Sequence, residues 1–252
     1  MAARRRLGPM PLPWLLRTVP VCGSTEPWLS QWLQEAQAND ATAEPSLPRA
    51  LLATHQSFGH GQRGRPWSAP PGGVWLSAAL PWPRQPSTSA SLSLAVAVGL
   101  ALELEALDLA VQIKWPNDLY VHGRKIAGLL PRLRLRSGQV AGARVGIGLN
   151  GCNRVPPGAI NVAQALAADA AHRRKAGHSI PALAARVLRA LEWAVAAAGE
   201  AETVRQQAEA RLLPGAAPVI DDGLVWQPVG LDRDGALRVR RQGQERRLQR
   251  TF

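Results

Sequence analysis

Lysine is almost missing from this chain. Of its 30 basic residues only three are lysine, Lys114, Lys125 and Lys175, and the other 27 are arginine. Cysteine is equally scarce. Two isolated thiols, Cys22 and Cys152, make neither a disulfide framework nor a zinc site. A reducing, cytoplasmic compartment is the expectation. No stretch offers about 18 uninterrupted apolar residues, so no membrane span is expected. The start, MAARRRLGPMPLPWLLRTVP, has the basic-then-apolar order of a signal peptide, but Pro9, Pro11 and Pro13 break the apolar run and no small-x-small cleavage site follows. Residues 1–20 are therefore expected to form a loose, partly extended arm. HExxH, G-x-S-x-G and His/Cys clusters at ligand spacing are also absent. The five histidines follow no pattern, so none is assigned as a catalytic base and any metal ligand set stays unknown.

What remains is a chain of 252 residues, 46% hydrophobic, long enough to bury a core without staples. Its net charge of +12 invites a polyanion. The arginines are scattered, however, and no nucleic-acid reading module is visible, so no DNA partner is expected. Apolar positions at helical spacing predict a helix over residues 26–38, with Ser24 as cap and Pro27 in the first turn. Residues 91–107 predict a helix apolar nearly all round, buried on more than one side. Strands are expected at 49–56, 74–80, 111–115, 119–121, 125–136 and 143–151, and one long helical pattern over 181–213. Beyond Leu213 come short β-type runs split by DDG, DRDG and RQGQ, which suggest a small β-barrel and a boundary near that residue.

Two of the three lysines flank K114-W-P-N-D-L119. Pro116 forbids a helix here and pushes Trp115 towards an extended conformation. The chain then reads as a hairpin with a two-residue turn at His122-Gly123. In that register Tyr120 lies opposite Lys125 and Leu119 opposite Ile126. Asp118, Tyr120 and Lys125 then share one face, with Asp118 diagonal to Lys125. An exposed ion pair on a hairpin contributes little. The lysine usage argues for more, because this chain uses arginine where charge alone is needed, and a compact ammonium differs from a planar guanidinium.

Residues 58–73 hold too much Gly, Pro and Arg for a regular element, so they form a long loop. Within it, Gly59-His60-Gly61-Gln62-Arg63-Gly64-Arg65-Pro66-Trp67 can turn successive N–H groups and two guanidinium groups towards one anion. It lacks the GK[ST] ending of a Walker loop, and Pro66, Pro70 and Pro71 deny it the helix that a dinucleotide fingerprint needs. A third feature, Gly146-Ile147-Gly148-Leu149-Asn150, ends a strand; it fits either a tight turn or an amide that reads an adenine edge.

Together and in this order, these motifs resemble the biotin protein ligases (biotin–acetyl-CoA-carboxylase ligases) over about residues 21–250. The resemblance rests on G59-x-G-x-R63-G-R65-x-W67, on K114-W-P-N-D-L119 with K125-x-x-G128, on Ser24-Thr25, Gln56 and Asn150, and on GLDRDGALRV near the end. It implies an α+β fold: a mixed β-sheet flanked by helices, of the biotin/lipoate ligase and class II synthetase type, with a small C-terminal SH3-like β-barrel. The expected division is an arm at 1–20, a catalytic domain at 21–213 and the barrel at 214–252. Only about twenty residues precede the catalytic part, so the form without an N-terminal DNA-binding domain is expected.

The activity implied is formation of biotinoyl-5'-AMP from biotin and Mg-ATP, then transfer to a lysine of a biotin carboxyl carrier protein domain of acetyl-CoA carboxylase. By resemblance, Lys125 and Asp118 are the catalytic residues. Ser24, Thr25, Gln56, Gly59, His60, Gln62, Trp67, Lys125 and Gly128 bind biotin. Arg63, Gly64, Arg65, Lys114, Asn117 and Asn150 bind ATP and the adenylate. Three departures stand out. His60 and Gln62 replace residues that are commonly arginine, which predicts looser retention of the adenylate. Glu26 follows Ser-Thr where Asn is frequent, and the N-terminal segment is short. The alternatives are a lipoate or octanoate ligase or transferase of the same fold, and a non-catalytic anion-binding module. Oligomeric state is not legible.

Overall fold

The computed structural model describes residues 11–39, 47–86, 89–168, 179–213 and 219–249. The chain runs through β1 (Leu15–Cys22), α1 (Thr25–Asn39), β2 (Arg49–Gln56), β3 (Gly73–Leu80), α2 (Leu92–Glu105), β4 (Gln112–Lys114), β5 (Asp118–Val121), β6 (Arg124–Arg136) and β7 (Gln139–Asn150). Then follow α3 (Val162–Ala167), α4 (Ile180–Ala196), α5 (Ala201–Glu209), β8 (Val219–Asp221), β9 (Leu224–Leu231), β10 (Leu237–Arg241) and β11 (Gln244–Leu248). The first seven strands form one mixed sheet, order β1-β2-β3-β7-β6-β5-β4. Only β1 and β2 run parallel; the other neighbours are antiparallel. The last four strands form a separate antiparallel meander, the small β unit expected at the end of the chain.

Alternation along the strands gives the large sheet two unlike faces. Val74, Leu76 and Ala78 of β3, Leu119 and Val121 of β5, and Val145, Ile147 and Leu149 of β7 are buried in a single apolar cluster with α2, α4 and α5. α2 is buried along most of its length, as its all-round apolar sequence requires, and Ser91 caps it by accepting from the N–H of Leu94. α2 and α4 meet backbone to backbone: a Cβ on Gly99 would stand 2.3 Å from the carbonyl oxygen of Ala190. The opposite face of the sheet carries Trp75, Ser77, Gly128, Gly146 and Gly148, with α1 along one side.

Three expectations need correction. Residues 15–20, expected in the arm, belong to β1, an edge strand that continues to Cys22; its Pro20 is tolerated because an edge strand needs hydrogen bonds on one side only. Residues 1–10 lie outside the described residues. The long helical pattern over 181–213 is two helices, α4 and α5, separated at Ala197–Glu200, where Gly199 interrupts it. The hairpin register also differs. Tyr120 does pair with Lys125, but Leu119 pairs with Ala127, because Ile126 is an extra residue in β6 and forms a β-bulge. The His122-Gly123 turn is as expected, with φ of 50° and 70°. The boundary expected near Leu213 falls against residues 214–218, and Lys175 against 169–178; both segments lie outside the described residues.

Candidate active site

The KWPND turn is built to a tight geometry. Lys114 pairs with Asp118 across it, and the Trp115–Pro116 peptide bond is cis. The Ser93 hydroxyl donates to the Pro116 carbonyl at 2.6 Å, and the Trp115 indole N–H donates to the Gly235 carbonyl at 2.9 Å. The turn is thus fastened to α2 on one side and to the C-terminal meander on the other. The Asn117 amide donates to the Leu129 carbonyl at 2.7 Å, and the Leu129 N–H returns a bond to the Asn117 carbonyl at 2.8 Å. The side-chain donation of Asn117 therefore clamps the turn onto β6.

The bulge decides what shares the open face. Strict alternation would put Lys125 and Gly128 on opposite faces of β6. With Ile126 inserted, Tyr120 pairs with Lys125 and Asp118 with Gly128, so all four come to one face while Ile126 and Ala127 are buried. Lys125 Nζ lies 2.7 Å from Asp118 Oδ1. Its stem crosses Gly128, where a Cβ would stand 3.2 Å from Lys125 Cε.

Gly128 pairs with Gly148, and together they form a floor. The Trp67 indole lies on it: a Cβ on Gly148 would stand 2.6 Å from Trp67 Nε1, and one on Gly128 would stand 3.1 Å from Cζ3. Trp67 meets Trp75 edge-on with centroids 6.5 Å apart, and Lys125 Nζ stands 5.0 Å from its ring centroid. The loop before Trp67 closes on itself through Trp67 N–H to Gly59 carbonyl and Gly61 N–H to Arg65 carbonyl, both at 2.8 Å. Residues 62–64 form a short 3-10 turn, with Arg63 at φ 57°.

These parts enclose a cavity of about 580 Å³, within the usual range for small-molecule sites. Of the residues expected at a site, all but Gly59 and Gly64 line it. Gly59 sits behind, where a Cβ would strike the Trp67 carbonyl at 2.6 Å; Gly64 is at the exposed tip with φ 70°. One end is polar. The backbone N–H and the hydroxyl of Thr25 both donate to Gln56 Oε1, at 2.7 and 3.1 Å, and Thr25 Oγ1 lies 2.7 Å from Ser77 Oγ. Gln56 thereby serves the start of α1 better than Ser24, whose hydroxyl is 3.5 Å from the Glu26 N–H. The other end is cationic. Lys114 and Lys125 line it, and Arg63 and Arg65 have no ion-pair partner among the described residues. Two buried donors on the wall, Gln62 Nε2 and Trp67 Nε1, have no hydrogen-bond partner. A buried donor left unpaired is costly, so both await an acceptor.

Asn150 lines the cavity, but its amide is partly committed. Nδ2 donates to the Ile160 carbonyl and Oδ1 accepts from Asn153, each at 3.2 Å. One amide proton and one lone pair remain. His60 points not into the cavity alone but to Glu26, with Nε2 3.2 Å from Oε2. Sequence reasoning missed Ser77, one serine in an apolar strand, and the wall formed by Pro156–Ala159. That wall is held by Lys125 N–H to the Gly158 carbonyl and Ile160 N–H to the Lys125 carbonyl, at 3.1 and 2.9 Å. Neither leaves a compositional mark. Among the described residues no group of three His, Cys, Asp or Glu could hold a metal ion, and no helix is long and apolar enough to cross a membrane.

A mixed sheet with one face under helices and the other floored by glycine and rimmed by cations defines a class of fold. Solved structures that share the sheet-and-helix fold over most of this chain include the biotin protein ligase from Aquifex aeolicus in complex with biotin and ATP (TM-score 0.66, 21% identity, 92% of this chain and 94% of that one). The Leishmania major biotin protein ligase in complex with biotinyl-5-AMP also shares it (TM-score 0.59, 21% identity, 93% and 98%). In sequence, residues 31–150 match the model of the biotin/lipoate A/B protein ligase family. The bifunctional ligase/repressor BirA of Escherichia coli is 31% identical over 134 residues, 52% of this chain and 39% of that protein. The biotin–[acetyl-CoA-carboxylase] ligase of Paracoccus denitrificans is 35% identical over 116 residues, 44% of this chain and 47% of that protein. The chain thus spans less than half the length of these two sequence relatives.

Proposed function

We propose that this protein is a biotin protein ligase. It converts biotin and ATP to biotinoyl-5'-AMP and pyrophosphate, then passes the biotinoyl group to a lysine of a biotin carboxyl carrier protein domain. The observation that carries this reading is the cavity itself: the Lys125–Asp118 pair and the unpaired Arg63 and Arg65 share it with a fixed Thr25–Gln56–Ser77 polar end.

A carboxylate is already ionised near neutral pH, so the first step needs no base. It needs two anions held together and their charge neutralised. One biotin carboxylate oxygen attacks the α-phosphorus, the α–β bridging P–O bond breaks, and its electron pair leaves with pyrophosphate. Lys125 compensates charge at the carboxylate and α-phosphate. Arg63, Arg65 and Lys114 do so at the phosphates, and Mg2+ arrives with ATP as part of that substrate. Trp67 covers the mixed anhydride against water. Ser24, Thr25, Gln56 and Ser77 meet the ureido ring, Gln62 Nε2 and Trp67 Nε1 supply donors, and Asn150 offers its remaining amide proton and lone pair to adenine. In the second step a neutral lysine amine attacks the acyl carbon, AMP leaves with the bonding pair, and the proton that the nitrogen sheds in becoming an amide passes to solvent. Asp118 positions that amine through the carboxylate oxygen that Lys125 does not hold.

The polar end favours biotin over lipoate, because an alkyl-dithiolane acid covers those groups from water without offering the further hydrogen bonds that a ureido ring supplies. ATP–pyrophosphate exchange with biotin, lipoate or neither tests the reading. Biotin-dependent exchange is expected. Exchange with lipoate alone moves the protein to the rival substrate, and no exchange with either leaves an anion-binding module.

A further inference from the structure

Two of the three residues at the cavity that depart from the family pattern, Glu26 and His60, touch each other. Glu26 lies in the first turn of α1, with its side chain 19% exposed. One carboxylate oxygen lies 3.2 Å from His60 Nε2, and the other lies 2.6 Å from Arg132 Nη1. Arg132 belongs to the outer half of β6, paired with Arg144 of β7, whose guanidinium donates to Ser30 of α1 at 2.8 Å. Burial, then Arg134, push the Arg144 guanidinium below its ordinary value, and Glu26 opposes them. Glu26 is thus an anion beside Arg132 and Arg144, the two arginines of the β6–β7 hairpin that touch α1.

The loop tip has few other attachments. Its backbone bonds from Gly59 to Trp67 are internal. Among the described residues, His60–Glu26 is the side-chain hydrogen bond or ion pair that ties residues 60–65 to the rest of the chain; Gln62, Arg63 and Arg65 make none. We propose that Glu26 is a positioning residue: its carboxylate, shared between His60 and Arg132, anchors the glycine–arginine loop over the cavity from the start of α1. Its consequence for catalysis rests on the ligase reading above; the anchor itself does not. A loop held at one half-exposed point opens and closes easily, and the partial exposure of the pair limits its strength. The anchor therefore sets how long the loop stays closed rather than whether it can close.

Amide deuterium uptake in the ligand-free protein tests the anchor directly. Glu26→Ala and His60→Ala are each expected to speed exchange across residues 60–66 about three- to fivefold, the effect of losing a partly exposed pair. The double variant is expected to match either single one, because the two act through one contact. His60→Arg, which places a guanidinium donor opposite Glu26, is expected to hold exchange at or below the wild-type rate, and to lose that protection when Glu26→Ala is added. Uptake across α1 is expected to stay unchanged in every variant, which separates an anchor from a helix that frays. Additive single effects, or a loop rate unmoved by Glu26→Ala, overturn the proposal. The release rate of biotinoyl-AMP forms a second arm, expected to rise by a similar factor in Glu26→Ala while pyrophosphate exchange at saturating biotin changes less. If the wild type shows no biotin-dependent exchange, the ligase reading fails and the uptake result still decides the anchor.

Discussion

The two faces of the large sheet are made by the same strands and obey different rules. On the helix side, successive inward residues are Val, Ile, Leu and Ala with almost no exposure. Their identity is set by volume. On the cavity side the facing positions of β6 and β7 are Gly128 and Gly148, and their identity is set by the absence of a side chain, because Trp67 lies where Cβ atoms would be. The first face holds the fold together. The second gives up burial to admit an indole and a ligand. Substitutions on the two faces should therefore separate: loss of stability on one, loss of activity on the other.

The largest expected effect is at Lys125. Lys125→Ala removes the cation at the reacting carboxylate and is expected to lower ATP–pyrophosphate exchange about 1,000-fold, the scale of losing one preorganised electrostatic contact. Lys125 is half-exposed, so the thermal midpoint is expected to move little. A large fall in midpoint with an equal fall in exchange would blur the two faces.

Its neighbour in sequence gives the converse. Ile126 is fully buried on the helix side. Ile126→Ala is expected to cost about 3 kcal/mol of stability through the cavity it leaves, with exchange per folded molecule nearly retained. Denaturant unfolding measured beside exchange checks this. Adjacent residues with opposite signatures follow from strand alternation, and the bulge adds that Ala127 is buried beside Ile126 while Gly128 rejoins the face of Lys125.

Gly148→Ala sharpens the comparison further. Its Cβ would stand 2.6 Å from two atoms of Trp67, and the indole is the part free to move. Trp67 is expected to lift from the floor, with a change in tryptophan fluorescence and a loss of exchange of about 10- to 100-fold, the cost of about an ångström of misplacement. A fall in stability with unchanged exchange would show that the glycine serves packing instead.

How far the sequence carried this picture follows from the same contrast. The helix side was legible, because periodic aliphatic residues name both the element and its buried face; α2 and the strands β2 and β3 sit where the pattern put them. The turn chemistry of His122-Gly123 was legible too, since only a few residue pairs suit positive φ. The cavity side was legible only through rare residue types and motif spacing: lysines among arginines, and glycines flanked by arginine and tryptophan. The bulge at Ile126 was not legible, because an inserted residue that is itself apolar leaves both faces plausible. Nor was the partly committed state of Asn117, whose side-chain amide donates to the Leu129 carbonyl, or the contact of His60 with Glu26, residues 34 apart. Pairings between distant polar residues leave no local pattern.

Gln62→Arg is the smallest effect and the finest test of the cavity side. Gln62 lies at the loop tip, lines the cavity, and has a buried amide nitrogen without a partner. A guanidinium there adds a fixed positive charge beside the place where the adenylate phosphate is held. At an effective dielectric of about 20 and a separation of about 5 Å, the bare attraction is about 3 kcal/mol. Solvent at the open loop and the entropy of ordering a long side chain reduce it to about 1 kcal/mol. Release of biotinoyl-AMP is therefore expected to slow about fivefold, with the unfolding midpoint unchanged because nothing on the helix side is touched. Single-turnover formation of the adenylate followed by dilution into excess unlabelled biotin and ATP measures it. Equal release rates in the two proteins would mean that charge at position 62 does not reach the phosphate, and that retention depends on loop closure alone.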